Sequence, residues 1–463
     1  MPMENDCTGL GSKRLVVKLI QPRATRRPMD TGLKLRMAPH LGLLTIAGIV
    51  EAQGHSVLLV NENVAEDVST AGVDLVGIST TLDVLGRAHE LALAYQALGV
   101  PVAVGGIGVT ADPDYAQALF GTICIGPAEG HWPELLGDAA QGRLKRRYST
   151  PPDFSGEALL PPSFKSADTA GYLYSNVIAT SRGCPFRCDF CYNSATRGTC
   201  GYVYRTVESV LAEIRSKRTR HIMFIDDNFI GNPAFTRELL AAIAPLRLKW
   251  NAAVSANILE MPDLLDQMRE TGCKSLFIGI ESLNGAALKD VHKGQNRAEC
   301  YEELVEALHS RGIMVNASFV FGLDEDDAGV FDRTIDWIVK HRIESATSHI
   351  LTPYPGTELY RRMEADGRIF DHDFSHYDTA HVVFTPRHMT PQELYDGYLR
   401  VYREVFSLKN IWKRMPLMRS QALPYLLFNL FYRKYGHFTE GLGNLVGFHR
   451  LGRLARWLSY HIG

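Results

Sequence analysis

Hydrophobic and polar positions along the first 150 residues follow two alternating periods. Short apolar, β-branched runs predict strands at 14–20, 56–60, 74–80, 101–106 and 122–126. Apolar residues at helical spacing predict a helix over 41–53, ending before Gly54, and another over 86–98. Strands that alternate with helices are typical of a parallel sheet that carries helices on both faces.

A second alternating series begins after a stretch rich in Pro, Ser, Asp and Arg. It predicts strands at 175–181, 221–226, 250–257, 275–282, 314–322 and 345–353. Six β/α units fit a partial, open (β/α)6 barrel better than a second flat sheet. The sequence thus predicts an α/β protein in four parts: a Rossmann-like domain over 12–145, a linker over 146–172, a partial TIM barrel over 173–365 and a C-terminal helical region over 385–463.

The composition limits the class of protein. The 463 residues are 46% hydrophobic and 22% charged, with a formal net charge of −2. These values are ordinary for a globular protein and argue against a disordered or fibrous one. Because the sequence has no run of 18 apolar residues and no apolar core of a secretory signal near its start, we expect a cytoplasmic protein without a membrane-spanning helix.

Three of the eight cysteines fall within eight positions, directly after the first strand of the second series. Cys184, Cys188 and Cys191 have the spacing Cys-x3-Cys-x2-Cys. Three thiolates from one loop can bind three irons of a [4Fe-4S] cluster, which leaves the fourth iron open to a substrate or cofactor. The alternatives are a zinc site or a chance grouping. Zinc loops usually carry a Cys-x2-Cys pair together with a second pair elsewhere, and beyond Cys188 and Cys191 no second pair occurs in this sequence.

This motif resembles the cysteine loop of the radical S-adenosylmethionine (SAM) superfamily, and Phe190 matches the aromatic residue that precedes its third cysteine. The resemblance implies that the open iron chelates SAM and that the reduced cluster cleaves SAM to methionine and a 5′-deoxyadenosyl radical. This radical then abstracts hydrogen from an unactivated carbon. The resemblance also implies an external one-electron reductant such as a flavodoxin or a ferredoxin.

Several residues at the ends of the predicted barrel strands resemble positions that contact SAM in this superfamily. They are Asp226, Asp227, Asn228, Ser255, Asn257, Glu281, Val320 and Phe321. Carboxylates at a strand end can accept hydrogen bonds from an ammonium group, and apolar residues suit a flat purine. Two alternatives stay open: the Asp-Asp-Asn run forms a turn that caps a helix, and Glu281 pairs with Lys293.

The N-terminal domain resembles the cobalamin-binding domain of class B radical SAM enzymes. The matching stretches are 39–43, 77–80, 104–106 and 126–130. The predicted contacts to cobalamin are Ser79, Thr80, Gly105, Gly106, Gly108, Gly126 and Glu129. The alternative is that these glycines only close tight turns. The sequence lacks the Asp-x-His-x-x-Gly motif that supplies a cobalt ligand in many cobalamin domains, and the nearest histidine is His40.

These resemblances imply a cobalamin-dependent methyltransferase that acts on an unactivated carbon of a small metabolite, for which a hydrophobic compound is one option. The first alternative is a radical SAM enzyme that catalyses cyclisation, rearrangement or another carbon–carbon step without methyl transfer. The second is a non-catalytic iron–sulfur or corrinoid sensor, which would need neither the open iron nor the carboxylates at the strand ends.

The C-terminal region differs in charge from the rest of the chain. Residues 401–463 contain ten Lys and Arg against two Asp and Glu, a local net charge of +8, whereas the remainder carries −10. Three interpretations stay open: helices that pack on the barrel and close its substrate side, a peripheral membrane-contacting surface, and a face that binds a partner. We expect no nucleic-acid partner, because no RNA-binding module is evident.

Overall fold

The computed structural model describes residues 13–457, apart from 26, 65–68, 70, 152, 168, 197–200, 218, 449, 451 and 455–456. Cys200, for which the sequence predicts no ligand role, therefore lies outside the described residues. Within the described residues, no helix is both long and apolar enough to cross a membrane.

The first half of the chain forms one parallel sheet. Its strands are β1 (Val16–Gln21), β2 (Ser56–Asn61), β3 (Leu75–Ser79), β4 (Val102–Gly105), β5 (Thr122–Ile125) and β6 (Arg147–Ser149). They lie in the order β2-β1-β3-β4-β5-β6. The strand order reverses between β1 and β3, and open α/β sheets bind ligands beyond the carboxyl ends of the strands at such a point.

Helices cover both faces of this sheet, as the apolar periodicity predicts. They are Gly32–Leu35, Leu41–Ala52, Leu85–Ala97, Ile107–Ala111, Pro113–Leu119 and Trp132–Ala140. On one face, Leu19 and Trp132 belong to a core that also includes Leu43 and Val50. On the other face, Ile78 and Leu91 belong to a core that continues into the second half of the chain.

The second half contains the partial barrel. Its strands are β7 (Val177–Ile178), β8 (Ser181–Arg182), β9 (Val203–Tyr204), β10 (His221–Phe224), β11 (Lys249–Val254), β12 (Cys273–Glu281), β13 (Met314–Phe321) and β14 (Ser345–Ile350). Six of these strands form a parallel sheet in the order β14-β13-β12-β11-β10-β7, and β8 pairs antiparallel with β9. The predicted α/β fold with a six-stranded partial barrel is thus confirmed.

Helices follow the barrel strands and then form the C-terminal region. Those of the barrel are Tyr192–Ala195, Val207–Ser216, Pro233–Ile243, Pro262–Glu270, Gly285–Asp290, Tyr301–Ser310, Val330–Lys340 and Glu358–Ala365. The C-terminal region contains Pro391–Val405, Leu408–Lys413, Arg419–Leu426, the π-helix Leu427–Lys434 and Gly436–Val446. Polar caps start many of them: Thr390, for example, forms a capping box with Glu393.

A buried arginine fixes the C-terminal region to the barrel. The guanidinium of Arg414 is fully buried and donates to the carbonyl oxygens of Ile343 (2.6 Å) and Val405 (2.7 Å). Asn429 Nδ2 donates to the carbonyl oxygen of Glu344 over 3.0 Å. The C-terminal helices are therefore packed against the barrel beside β14. This agrees with the interpretation in which these helices pack on the barrel.

Two predicted boundaries differ from the structure. The run 175–181 forms not one strand but β7 and β8, because the chain breaks from the sheet after Ile178 and β8 pairs with β9 instead. The predicted linker at 146–172 begins too early, since β6 is the edge strand of the first sheet. This strand has only three residues, of which Tyr148 alone is buried, so its apolar signal is weak.

Candidate metal and cofactor site

The cysteine loop begins with a glycine whose conformation the fold requires. Gly183 has φ +78°, and a Cβ at this position would lie 2.5 Å from the carbonyl oxygen of Gly201. The backbone can therefore turn sharply out of β8 and into Cys184 only at a residue without a side chain. Cys188 is buried, and Cys184 and Cys191 are partly buried free thiols.

The three thiols lie close enough to influence one another. The charge of Cys188 contributes to raising the pKa of both Cys184 and Cys191, after the larger effect of burial, which raises the pKa of Cys191 to about 12. Buried thiols of this kind lose their protons when a metal binds. The donor chemistry of the loop therefore fits an iron–sulfur cluster. Among the described residues, no group of three His, Cys, Asp or Glu side chains is placed to hold a single metal ion.

A second segment, 291–295, packs directly against the cysteine loop. The Asp189 amide donates to the carbonyl oxygen of Val291 (3.1 Å), and the Asp189 carboxylate lies 2.8 Å from His292 Nδ1. Gln295 Nε2 donates to the sulfur of Cys188 over 3.4 Å. Hydrogen bonds of this kind to cluster sulfurs help set reduction potentials. Nothing in the spacing of the sequence indicated Gln295, because it lies more than a hundred residues from the cysteines.

The residues predicted at the end of the second barrel strand divide into two roles. One oxygen of Asp226 accepts from the backbone amides and hydroxyls of Thr180 (2.9 and 3.0 Å) and Ser181 (2.5 and 2.6 Å). This buried carboxylate therefore holds the turn that leads into β8, and burial raises its pKa to about 6. Asp227 instead accepts from Tyr192 Oη over 3.0 Å and lies beside the cysteine loop.

A short polar chain joins the ends of the next strands. Asn228 Nδ2 donates to Ser255 Oγ (3.1 Å), and Ser255 Oγ donates to Asn257 Oδ1 (2.5 Å). These three predicted SAM-contacting side chains therefore lie side by side at the carboxyl edge of the sheet. Their contact with SAM stays a prediction.

Glu281 forms an ion pair with Lys293, which was the alternative to its contact with SAM. Lys293 Nζ lies 2.5 Å from Glu281 Oε1, and both side chains are about nine-tenths buried. A Cβ on Gly279 would meet Glu281 Oε1, so a side chain at this position would have to displace the carboxylate from the pair. The ammonium of Lys293 also lies 5.8 Å from the ring centroid of Phe190, which places a positive charge beside the cysteine loop.

The two apolar residues predicted for adenine binding are part of the core. Val320 and Phe321 are buried, and the ring of Phe321 packs on Phe331 with centroids 5.0 Å apart. The following turn is held by Asp326, whose Oδ2 accepts from the amides of Gly322 (3.0 Å) and Leu323 (3.1 Å). Direct contact of Val320 and Phe321 with SAM stays a prediction.

Glycines at the carboxyl edge of the first sheet allow two loops to pack closely. Gly106 has φ +105°, and a Cβ there would lie 2.5 Å from the carbonyl oxygen of Thr80. A Cβ on Gly108 would lie 2.7 Å from the carbonyl oxygen of Thr81. The Thr80 amide donates to the carbonyl oxygen of Gly105 over 2.8 Å. These glycines therefore allow close packing of the two loops, and their contact with cobalamin stays a prediction.

The remaining residues predicted to contact cobalamin lie at the same edge. Ser79 ends β3, and Gly126 follows β5 with φ +82° and donates its amide to Thr110 Oγ1 over 3.1 Å. His40 Nδ1 accepts from the Leu43 amide over 3.1 Å and caps the helix that follows. Burial lowers the pKa of His40, and its Nε2 lies 3.4 Å from Ser79 Oγ.

One ion pair connects the edge of the first sheet to the cysteine loop. Arg182 lies 2.7 Å from Glu129 Oε1, and the Glu129 side chain is almost fully buried. Its second oxygen, Oε2, is buried and has no hydrogen-bond partner in the described part of the chain. An acceptor without a donor at a strand-end edge fits a corrinoid, whose amide side chains can donate hydrogen bonds. Gly356, after the last barrel strand, also packs against the first domain: a Cβ at this position would lie 2.8 Å from the carbonyl oxygen of Ala111.

Comparison with known proteins matches both halves of the chain. Residues 178–338 match the radical SAM superfamily, and residues 37–136 match the B12 binding domain. Residues 357–423 match a domain of unknown function, DUF4070. Bacteriochlorophyllide d C-12(1)-methyltransferase of Chlorobaculum tepidum is 32% identical over 416 residues, which cover 86% of this chain and 88% of that protein.

The chain belongs to the cobalamin-dependent radical SAM methyltransferases. Hopanoid C-2 methylase of Rhodopseudomonas palustris is 30% identical over 72% of this chain and 66% of its own length. An anaerobic magnesium-protoporphyrin IX monomethyl ester cyclase of Cereibacter sphaeroides is 26% identical over 50% of this chain and 39% of its own length. The family therefore includes relatives whose names specify methyl transfer and relatives whose names specify ring closure.

The fold of this radical SAM methyltransferase also matches solved structures. TsrM of Kitasatospora setae, with cobalamin and a [4Fe-4S] cluster bound, superposes with a TM-score of 0.61 at 18% identity, covering 76% of this chain and 78% of that one. The predictions of a radical SAM enzyme and of the cofactors SAM, [4Fe-4S] cluster and cobalamin are thus confirmed. The individual residues that bind these cofactors stay predictions.

Proposed function

We propose that this enzyme methylates an unactivated carbon of a small hydrophobic molecule. The observation that carries the proposal is the ion pair between Arg182 and Glu129, because it joins the end of β8, just before the cysteine loop, to the edge of the first sheet where we predict that cobalamin binds. Cofactors that work in succession on one carbon atom must be bound on facing surfaces. When bound, the cluster and SAM supply the hydrogen-abstracting radical, and cobalamin carries the methyl group.

The chain's own residues position these groups and enclose them. Cys184, Cys188 and Cys191 are the proposed cluster ligands, and Asp227 offers a carboxylate beside them. Burial raises the pKa of Asp227, and hydrogen bonds from Tyr192 and Asn193 oppose this rise. A carboxylate held in this way suits the ammonium group of SAM.

A hydrophobic substrate is supported by the surface beside the loop. Ile225 is 43% exposed and Tyr192 is 38% exposed, although burial raises the pKa of Tyr192 well above its ordinary value. Exposed apolar and aromatic side chains beside the cysteine loop suit contact with an apolar molecule. The names of two relatives, which specify a bacteriochlorophyllide and a hopanoid, also support an apolar polycyclic substrate.

Product analysis under anaerobic conditions tests the proposal without knowledge of the substrate. The protein is reconstituted with iron, sulfide and cobalamin, reduced, and supplied with SAM that is labelled on its methyl group. We expect S-adenosylhomocysteine to form and the label to appear in the corrinoid fraction. Bacteriochlorophyllide d and a hopanoid are then added as probes, and 5′-deoxyadenosine should rise with the accepted one.

One observation supports the alternative of cyclisation without methyl transfer, namely the match to a cyclase over half of the chain. It predicts 5′-deoxyadenosine without S-adenosylhomocysteine and no transfer of label to the corrinoid. That result would contradict the proposed methylation, while leaving the assignment to the radical SAM superfamily intact.

A further inference from the structure

A stripe of large apolar side chains faces outward on the helical segment that ends at Val446. The stripe consists of Phe431, Tyr435, Phe438, Leu442 and Leu445, which are 50%, 44%, 69%, 42% and 84% exposed. Phe438, Leu442 and Leu445 are spaced four and three residues apart and so lie on one face of the α-helix Gly436–Val446, whereas Phe431 and Tyr435 lie in the π-helix and at the junction directly before it. Amphipathic helices of globular proteins ordinarily bury such a face.

The opposite face of this helix is the one that packs on the protein. Gly436 and Gly443 are its buried residues. A Cβ on Gly436 would lie 2.9 Å from a side-chain carbon of Thr31, and Glu440 reaches Gly32 on the same neighbouring segment. The small residues therefore allow close approach, and the helix cannot turn its large residues inward without losing this contact.

The same region supplies unpaired positive charge. Residues 401–463 carry a net charge of +8, whereas the rest of the chain carries −10. Lys434 lies in sequence between Phe431 and Tyr435 of the stripe. Lys434, Arg450 and Arg453 are exposed, and none of them forms an ion pair with the residues that the structure describes. Apolar residues interspersed with cations are the pattern that binds an anionic lipid surface.

The dimensions favour a helix that lies flat. From Phe431 to Leu445 the stripe spans at most about 21 Å at 1.5 Å per residue, which is shorter than the roughly 30 Å hydrocarbon core of a bilayer. Trp412 and Leu417, which are 74% and 77% exposed, add further apolar surface in the same C-terminal region. Such side chains enter the headgroup boundary while the cations remain at the surface.

We propose that the apolar stripe Phe431–Leu445 binds this enzyme to the surface of an anionic membrane. A second copy of the chain is the less suitable occupant, because a symmetric dimer through this face would bring two regions of charge +8 together. The proposal does not depend on the identity of the reaction. A membrane surface would, however, give the enzyme access to an apolar substrate.

Flotation with lipid vesicles tests this proposal. The full-length, anaerobically reconstituted protein is mixed with vesicles of phosphatidylcholine alone or with phosphatidylglycerol added. We expect it to float with the anionic vesicles, to be released by high salt and to stay behind with the neutral ones. The double variant F438S/L445S should bind at least about tenfold more weakly, since two large exposed side chains lose their apolar contact with lipid.

A matched variant controls for the loss of surface apolarity. Leu58 and Leu98 are 44% and 63% exposed on the first domain, so L58S/L98S should float like the wild type. Iron content and circular dichroism establish that both variants are folded. Absence of flotation of the wild type, equal flotation with neutral vesicles, or unchanged flotation of F438S/L445S would overturn the proposal. So would a wild-type dimer, seen by light scattering, that F438S/L445S dissociates.

Discussion

Single residues outside the cysteine motif complete the cluster site. Gln295, Lys293 and His292 all lie in one turn that packs against the cysteine loop. His292 has φ +51°, a left-handed conformation that few non-glycine residues adopt. Such a conformation persists where the surroundings fix it, and here it brings the ring to Asp189.

The hydrogen bond from Gln295 to Cys188 leads to a prediction about redox potential. A donor to a cluster sulfur stabilises the reduced, more negative state, so its removal should make the potential more negative. We expect Gln295→Leu to lower the midpoint potential of the reconstituted cluster while its iron content stays unchanged. A redox titration followed by electron paramagnetic resonance measures this, with the exposed Gln141→Leu as control. An unchanged potential in Gln295→Leu would show that the bond is not made in the loaded protein.

At this scale the sequence was most informative where chemistry depends on neighbours in the chain. The three cysteines occupy one loop, so their spacing alone indicated the cluster. By contrast, the hydrogen bonds that Asp226 accepts from Thr180 and Ser181 join residues that are 46 and 45 positions apart. The sequence placed Asp226 at a strand end, but it contains no signal for which partner occupies each oxygen.

At the scale of elements, the glycine turns of the first sheet are set by close packing between loops. Gly106→Ala should lower stability by about 1–3 kcal/mol, because a positive φ and a contact with the Thr80 carbonyl both oppose a Cβ. The control is Gly86→Ala in the helix Leu85–Ala97, where a Cβ meets no atom within 4 Å. This variant should be neutral or gain up to about 1 kcal/mol. Urea unfolding measures both, and equal effects would refute the packing argument.

The turn after β13 should make stability depend on pH. Burial raises the pKa of Asp326 to about 7, so the folded chain retains a proton that the unfolded chain releases above about pH 4. The contribution of this group is therefore fully present below pH 4 and is lost as the pH rises through 7. Asp326→Asn keeps an acceptor for Gly322 and Leu323 but cannot titrate.

The measurement compares urea midpoints of wild type and Asp326→Asn at pH 5 and pH 8. We expect the wild type to lose stability relative to the variant between these two values. A constant difference would mean that Asp326 is ionised throughout, with its charge satisfied by the two amides.

Element boundaries were harder to predict than element types. The periodicity gave the correct strand positions for β2, β10 and β13 to within a few residues. It did not show that the first barrel strand splits, because β8 is fixed by its distant partner β9 rather than by its own sequence. The edge strand β6 was assigned to a linker, since three residues are too few for a period to emerge.

At the scale of the whole molecule, the carboxyl edge of the first sheet meets the carboxyl edge of the barrel sheet. Alternating strands and helices predicted both sheets, and the known behaviour of such sheets predicted where each would bind ligands. How the sheets face each other depends on contacts such as Arg182 with Glu129 and Gly356 with Ala111. These pairs are separated by 53 and 245 positions, and no single sequence reveals them.

We predict that Cys184, Cys188 and Cys191 hold an open cluster that cleaves SAM. The most direct measurement determines iron content and 5′-deoxyadenosine formation in single alanine variants of Cys184, Cys188 and Cys191, with Cys273→Ala as control. The buried thiol of Cys273 lies on β12 and has no proposed ligand role. Wild type and Cys273→Ala should retain about four irons per chain and cleave SAM, whereas each of the three variants should lose cleavage completely. Cleavage that survives in any of the three, or that is lost in Cys273→Ala, would contradict the account.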